Sequence, residues 1–197
     1  MKTLYIFGDS NTYGYDPADG WDTRYKEEDI WTFRLQNALR DEWEVVADGQ
    51  NGRQIPTRRY EENALFRRMN RHIPIDLFAV MLGTNDYLNM VKPDADLVAQ
   101  RMKTFLSTLS AKIPPDRILV IAPPPAVVPA MFHAPGIDTS DGKLSAAYKA
   151  VAEDGGYGFL DTIPWNLKLA YDGVHLSEEA HHVLAEKMRE FIEEKRA

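Results

Sequence analysis

Short apolar runs alternate with longer segments of helical periodicity along this chain. Each apolar run is short enough to be a fully buried strand. They lie at residues 4–7, 44–47, 77–81, 118–121 and 158–160. Between them, apolar residues recur at the spacing of a helix face, as at Trp31, Leu35 and Leu39. Because strands that alternate with helices form parallel sheets, we predict an α/β fold: a three-layer α/β/α sandwich with a five-stranded parallel sheet.

The length of 197 residues suits one hydrophobic core, so we expect a single domain over residues 1–197. The segment before Gly8 holds too few apolar residues for a signal peptide. No uncharged apolar run approaches the roughly 18 residues that a membrane helix needs. We therefore expect a cytoplasmic protein with no membrane partner.

Charge and cysteine usage narrow the classes of partner. The net charge is −7, and the arginines between Arg53 and Arg71 are interleaved with Glu61 and Glu62, so they do not predict one basic face. This pattern favours a small-molecule partner and no nucleic acid. The chain has no cysteine, which excludes disulfides, thiol nucleophiles and cysteine-ligated zinc.

Polar or proline-rich segments follow four of the five predicted strands. Asp9 and Ser10 follow the first strand, "DGQNGR" the second, "GTND" the third, and the segment 123–140 the fourth. In an open, flavodoxin-like sheet, ligands bind in the crevice outside the carboxyl ends of the strands. We therefore expect all four segments to face one crevice. The prolines of 123–140 fix backbone dihedrals, which favours a rigid loop there.

Ser10 is the first candidate for chemistry at this crevice. A serine in "DSNT" could simply cap a helix or form a turn. As a nucleophile it would need a base to take its proton. His175 follows Asp172 by three residues, and a turn at Gly173 can bring the carboxylate against one imidazole nitrogen while leaving the other free. Alternatively, Asp172 and His175 are surface groups that flank the cap of the last helix.

Acyl transfer also needs donors that hold a developing oxyanion. Asn85 in "MLGTND" could give its side-chain amide, and Gly52 in "DGQNGR" could give a backbone N–H that no side chain shields. The N–H of Ser10 is a third candidate. Gly49 is an alternative donor, although the spacing favours Gly52. Taken alone, "GTND" and "NG" are also typical of ordinary turns.

Four blocks in order resemble one known family. "FGDSNTYG", "DGQNGR", "MLGTND" and "DGVHLS" are similar to those of the GDSL, or SGNH, hydrolases across nearly the whole chain. The resemblance implies a serine esterase with Ser10 as nucleophile, His175 as general base and Asp172 as its partner. It implies oxyanion donors at Ser10, Gly52 and Asn85. "MLGTND" followed by "PPP" resembles the arylesterase and acyltransferase branch, which implies that copies of the chain can form a homo-oligomer.

Two other classes of function compete with the esterase. A flavodoxin-like module could bind a phosphate or flavin at "DSNT", but the carboxylate of Asp9 would repel an anion there. A metal hydrolase could use "HLSEEAHH". His181 and His182 are adjacent on a helix and point about 100° apart, so they do not favour one shared ion. We therefore expect no cofactor and no catalytic metal.

We expect a small-molecule ester as the substrate, and the sequence constrains its contacts less than it constrains the reacting groups. Aromatic and apolar residues close to the nucleophile or in the proline loop are candidate substrate contacts. They are Tyr13, Tyr15, Trp21, Met131 and Phe132. If the proline loop crowds the acyl side, short acyl groups such as acetyl are favoured. A pocket poor in water would also let an alcohol take the acyl group.

Overall fold

The computed structural model describes residues 1–18, 23–132 and 136–194. Its strands, in chain order, are β1 (Lys2–Gly8), β2 (Trp43–Gly49), β3 (Leu77–Met81), β4 (Ile118–Ile121), β5 (Val127–Val128), β6 (Ile137–Asp138) and β7 (Gly158–Leu160). The helices are α1 (Ser10–Tyr13), α2 (Trp31–Leu39), α3 (Arg59–Met69), α4 (Thr84–Leu88), α5 (Ala95–Ser110), α6 (Lys143–Gly155) and α7 (Glu178–Glu194). Short 3-10 helices span Glu27–Asp29, Pro115–Arg117 and Ile163–Trp165.

The main sheet is parallel and has five strands in the order β2-β1-β3-β4-β7. This confirms the predicted five-stranded parallel sheet. β1 and β2 are each longer than their apolar runs, because their polar end residues also pair: Lys2 lies opposite Trp43 and Gly8 lies opposite Gly49. β1 is an interior strand, between β2 and β3, so the residues that leave its carboxyl end lie inside the row of strand ends.

Helices cover both faces of the sheet, as the three-layer prediction requires. Leu4 and Ile6 of β1 pack with α2 and α7 on one face, while Tyr5 and Phe7 pack with α3, α5 and α6 on the other. Side chains alternate along a strand, so one strand supplies both cores. Each fully buried side chain of this kind contributes about 1.5–3 kcal/mol of burial free energy.

The proline segment is less irregular than predicted. β5 and β6 lie within 123–140 and pair antiparallel, with Val127 opposite Asp138 and Val128 opposite Ile137. Ala126, Val128 and Ile137 are buried together in a small separate cluster. Pro129 directly follows β5 and has no N–H to donate, which ends the pairing on that side. The expected loop is therefore a short ribbon with irregular flanks.

Within the described residues, no helix is both long enough and apolar enough to cross a membrane. The cytoplasmic location stays a prediction.

His181 of α7 is fully buried against α2. Its Nδ1 accepts the backbone N–H of Trp31 at 3.5 Å, and its ring meets the ring of Tyr25 edge-on at 5.3 Å. Its Nε2 has no hydrogen-bond partner among the described groups. Burial, and then the neighbouring His182, lower the pKa of His181 to about 3, so the ring stays neutral in the folded protein.

A buried neutral histidine makes stability depend on pH. The folded pKa of about 3 lies below the free value of about 6.5, so between these values the unfolded chain binds a proton that the native protein does not. As pH falls below about 6.5, the buried ring should lower the unfolding free energy of the wild type by up to about 1.4 kcal/mol per pH unit. We expect His181→Asn to lack this contribution. Urea unfolding at pH 7.5, 6 and 5 measures this.

The matched control for this prediction is His72→Asn, since the His72 side chain is 30% exposed. As pH falls from 7.5 to 5, the unfolding free energy of His181→Asn should fall less than that of wild type. His72→Asn shows what loss of a histidine at a less buried position does under the same conditions. Equal pH slopes for wild type and His181→Asn would contradict the buried neutral ring.

Candidate active site

Ser10 lies where β1 ends and α1 begins. Asp9 caps α1, because its Oδ1 accepts the N–H of Asn11 at 3.0 Å. This fixes the first turn of the helix and directs Ser10 toward the carboxyl ends of the strands. The side chain of Ser10 is nearly buried, and its Oγ lies 3.0 Å from Nε2 of His175. Two residues 165 positions apart in sequence therefore meet at hydrogen-bond distance.

His175 and Asp172 are hydrogen-bonded as the spacing predicts. Nδ1 of His175 lies 2.5 Å from Oδ2 of Asp172. Oδ1 of the same carboxylate accepts the N–H of Val174 at 3.0 Å and that of His175 at 3.1 Å. With the carboxylate accepting from Nδ1, the other ring nitrogen is free to accept the Ser10 hydroxyl proton.

The pKa of Asp172 reflects these contacts. Burial by itself would raise it, but the hydrogen bond from His175 and the N–H of Val174 outweigh burial and hold the pKa below its usual value. Asp172 is therefore ionised at neutral pH, and it favours the tautomer of His175 that carries its proton on Nδ1.

Gly173 makes the turn between Asp172 and His175 possible. Its φ is +70°, in the left-handed region that side chains disfavour. A Cβ at this position would lie 1.8 Å from the carbonyl oxygen of Val127, whose own N–H donates to the Gly173 carbonyl at 2.9 Å. Gly173, between Asp172 and His175, therefore packs directly on Val127 of the proline segment, and this contact leaves no room for a side chain at position 173.

Two of the predicted donors lie beside Ser10. Gly52 has a φ of +72° and lies on the crevice wall. Asn85, near the start of α4, donates through Nδ2 to the carbonyl of Arg53 at 3.1 Å and lies 3.4 Å from Oδ2 of Asp9. Gly49, the alternative donor, is inside β2 and packs under the backbone of Tyr13, so the structure favours Gly52.

A crevice of about 790 Å³ opens onto these groups. Its walls combine the polar groups above with aromatic and apolar side chains. They are Ser10, Tyr15, Pro17, Asn51, Gly52, Asn85, Leu88, Phe132, Tyr171, Asp172, Val174 and His175. Every predicted catalytic and oxyanion residue is therefore at this crevice.

The predicted substrate contacts lie in different places relative to the crevice. Phe132 lines the crevice, and its ring meets that of Tyr171 at 5.9 Å. Tyr13 does not line it, because α1 turns this ring toward Arg24, whose guanidinium lies 5.2 Å from the ring centre. Met131 is 82% exposed and is also outside the lining residues, since the chain turns outward there. Trp21 lies outside the described residues.

Two tyrosines line the crevice, of which sequence reasoning named Tyr15 and missed Tyr171. Tyr15 packs its ring 4.6 Å from that of His175, and Tyr171 donates its hydroxyl proton to the carbonyl of Pro17 at 2.8 Å. Tyr15 was close to the nucleophile in sequence, but nothing local distinguished it from Tyr13. Gly14 ends α1 with a φ of +88°, and this change of direction brings Tyr15 to the crevice.

Asp9 is the buried acid beside the site. Burial raises its pKa to about 6, and the N–H of Asn11 and the charges of His175 and Arg53 limit the increase. Because its carboxylate takes the free N–H of Asn11, it occupies the place where a phosphate would bind. This argues against the phosphate-binding alternative.

The histidines of "HLSEEAHH" lie in three different environments. His175 faces Ser10, His181 is in the core, and His182 pairs with Asp29 at 3.3 Å. Within the described ranges, Asp29, Glu178 and His182 have ligand atoms within 4.8 Å of one another, but these three residues do not line the crevice. The absence of a catalytic metal or cofactor stays a prediction.

Comparison with known proteins agrees with this geometry. A model of the GDSL-like lipase/acylhydrolase family matches residues 6–183. The chain belongs to this family. As a GDSL-like acylhydrolase it is an ester hydrolase. The family resemblance of the four blocks is confirmed, and so is the α/β fold predicted from the alternating strands and helices. Association of copies of the chain stays a prediction.

One relative and two solved structures match along nearly the whole length of this chain. GDSL lipase Rv0518 of Mycobacterium tuberculosis is 25% identical over 206 residues, covering 98% of this chain and 82% of the relative. The native aryl esterase of M. smegmatis is 26% identical, with a TM-score of 0.83 and coverage of 98% and 99%. A carbohydrate acetylesterase family member from Sinorhizobium meliloti is 27% identical, with a TM-score of 0.81 and coverage of 98% and 97%.

Proposed function

We propose that this GDSL-like hydrolase cleaves carboxylic esters through an acyl-enzyme on Ser10. The observation that carries the proposal is the continuous chain of contacts, Ser10 Oγ to His175 Nε2 at 3.0 Å and His175 Nδ1 to Asp172 Oδ2 at 2.5 Å. A serine hydroxyl becomes a useful nucleophile when a neighbouring base takes its proton, and an ionised partner stabilises the imidazolium that forms.

The proposed reaction has two halves. Ser10 Oγ bonds to the ester carbonyl carbon while its proton moves to Nε2 of His175. The C–O bond to the alcohol then breaks, and His175 returns the proton to the leaving oxygen. In the second half, a water molecule gives a proton to His175 while its oxygen bonds to the acyl carbon. The bond between that carbon and Ser10 Oγ then breaks, and His175 returns the proton to Oγ, which releases the acid and restores Ser10.

Three N–H donors are proposed to hold the oxyanion. Ser10 is the first residue of α1, so its N–H has no partner inside the helix. The N–H of Gly52 has no backbone acceptor among the described residues. Asn85 adds the amide hydrogen that is not bonded to the Arg53 carbonyl, in exchange for its 3.4 Å contact with Asp9. Donors fixed before the reaction stabilise the developing charge without reorganising.

Removing the Asn85 donor gives a direct test of this oxyanion site. We expect Asn85→Ala to lower kcat by about 100- to 1000-fold, because one preorganised donor is lost in the transition state. Steady-state kinetics with p-nitrophenyl acetate measures it. Asn89→Ala is the matched control, since Asn89 ends the same helix and its Nδ2 donates to the Asn85 carbonyl at 2.7 Å without lining the crevice. Equal kcat values for the two variants would refute the assignment.

Short acyl groups are the proposed substrates. Tyr15 packs against His175, and Phe132 with Tyr171 forms an aromatic wall, so the space next to Ser10 is bounded by rings. The structural relative from S. meliloti is described as a carbohydrate acetylesterase family member, which agrees with acetyl. We expect kcat/KM to fall from acetyl to butyryl to octanoyl p-nitrophenyl esters. Faster turnover of the octanoyl ester would overturn this preference.

Transfer of the acyl group to an alcohol is proposed as a side reaction. The lining of the crevice includes apolar side chains such as Leu88, Phe132 and Val174, and a crevice poor in water favours an alcohol as the acceptor. Chromatographic analysis of p-nitrophenyl acetate with added alcohol should show the new ester. If acetate is the only acyl product at every alcohol concentration, the enzyme hydrolyses the ester and does not transfer its acyl group to alcohols.

A further inference from the structure

Asn11, the residue after Ser10, links α1 to the loop that carries His175. Its Oδ1 accepts the N–H of Leu176 at 2.8 Å, and its Nδ2 donates to the carbonyl of Val174 at 3.2 Å. These two backbone groups belong to the residues on either side of His175. One side chain therefore holds the backbone on both flanks of the imidazole.

Asn11 is itself held firmly. It is 3% exposed, its N–H donates to Asp9 at 3.0 Å, and its carbonyl accepts the indole N–H of Trp31 at 2.9 Å. Because both backbone and both side-chain polar groups are bonded inside the protein, the amide cannot turn away without leaving buried groups unpaired. Asn11 also does not line the crevice, so its place in the site is behind the reacting groups.

The chemistry of a primary amide fits this place. Val174 offers an acceptor and Leu176 offers a donor, and an asparagine side chain complements both. Aspartate has nearly the same shape but could satisfy only Leu176, and leucine has a similar volume but could satisfy neither. Substitutions of matched size can therefore separate the hydrogen bonds of Asn11 from its packing.

Asn11 provides most of the direct hydrogen bonding between α1 and the histidine loop, residues 172–176. Among the residues that the structure describes, these bonds are one from Ser10 to His175 and two from Asn11. Ser10 and Asn11 are adjacent in a helix of four residues, so a shift of Asn11 relative to the loop also shifts Oγ relative to Nε2.

We propose that Asn11 is a positioning residue that sets the distance between Ser10 Oγ and His175 Nε2. The proposal rests on the proposed function, because it assigns Asn11 a part in proton transfer from Ser10 to His175. A misplacement of about 1 Å between reacting groups can cost about 100-fold in rate. Asn11 acts through the base and makes no contact with substrate.

The first experiment compares Asn11→Leu and Asn11→Asp with wild type. With p-nitrophenyl acetate, we expect Asn11→Leu to lower kcat about 100-fold with little change in KM, and Asn11→Asp to lose less, since it keeps the bond to Leu176. Circular dichroism and melting curves check the fold. Thr162→Val is the control: it removes a buried hydroxyl that donates to the Ala122 carbonyl at 3.0 Å, and it should lower stability without lowering kcat.

The second experiment repeats each Asn11 substitution in a His175→Ala background. If Asn11 acts through the base, the substitution should lower kcat/KM strongly in wild type and leave it unchanged in His175→Ala. Equal losses in both backgrounds would overturn the positioning role. If Asn11→Leu does not fold, the same comparison of kcat/KM with and without His175 is made with Asn11→Asp.

The outcomes also separate this proposal from the proposed function. Full activity of His175→Ala would defeat the proposed function itself. Loss of activity in His175→Ala together with a wild-type kcat in both Asn11 variants would defeat the positioning role alone.

Discussion

Ser10→Ala should reduce hydrolysis of p-nitrophenyl acetate to near the background rate, a loss in kcat of about a million-fold. Alanine has no oxygen to bond to the acyl carbon, so the acyl-enzyme cannot form. The substitution removes one atom from a nearly buried side chain, and the hydrogen bond that it removes is the one to His175. The fold should therefore survive, as circular dichroism and the melting temperature can show.

A matched control for this variant is Ser145→Ala. Ser145 is also buried, and its Oγ donates to Asp161 at 2.8 Å, away from the residues that line the crevice. We expect this control to keep the kcat of wild type. Substantial activity in Ser10→Ala, at a level that scales with enzyme concentration, would show that another group attacks the ester.

Asp172→Asn should lower kcat by about 10,000-fold while the protein stays folded. Oδ1 of Asp172 accepts two backbone N–H groups, those of Val174 and His175, so the oxygen of an asparagine must stay on that side. Its NH2 group then faces Nδ1 of His175 and donates to it. The imidazole proton is forced onto Nε2, and this nitrogen can no longer accept the proton of Ser10.

Kinetics of Asp172→Asn beside Asp161→Asn measure this effect. Asp161 also accepts a backbone N–H, that of Ile163 at 3.0 Å, but it does not line the crevice. The control should therefore keep its kcat. A kcat of Asp172→Asn within a few-fold of wild type would contradict the tautomer argument, even if Ser10 proved essential.

The sheet and the positions of the candidate site residues could be predicted because their signals are local. Five apolar runs matched the five parallel strands, and polar blocks directly after the runs gave the groups that now face one crevice. Where a strand ends, the next residues must lie at the sheet edge, so sequence position alone restricts where Ser10 and Asn85 can be. The pair of Asp172 and His175 was predictable because one glycine sets its turn.

The walls of the crevice depend on contacts that local patterns do not encode. Tyr13 and Tyr15 look alike in sequence, but the turn at Gly14 separates an outward ring from one that packs on His175. Tyr171 reaches Pro17 across 154 positions, and Asn11 reaches the histidine loop across more than 160. Such long-range pairs follow from the packing of complete elements, so periodicity and spacing could not reveal them.

Covalent labelling with an ester analogue identifies the residue that attacks the carbonyl. The protein is incubated with a p-nitrophenyl phosphonate, whose phosphorus is attacked as an ester carbonyl would be, and the intact mass and peptide masses are then determined. The account predicts one adduct per chain on Ser10, formed in step with loss of activity and much more slowly in Asp172→Asn. Loss of activity with the adduct on another residue would contradict it, as would full activity after complete labelling of Ser10.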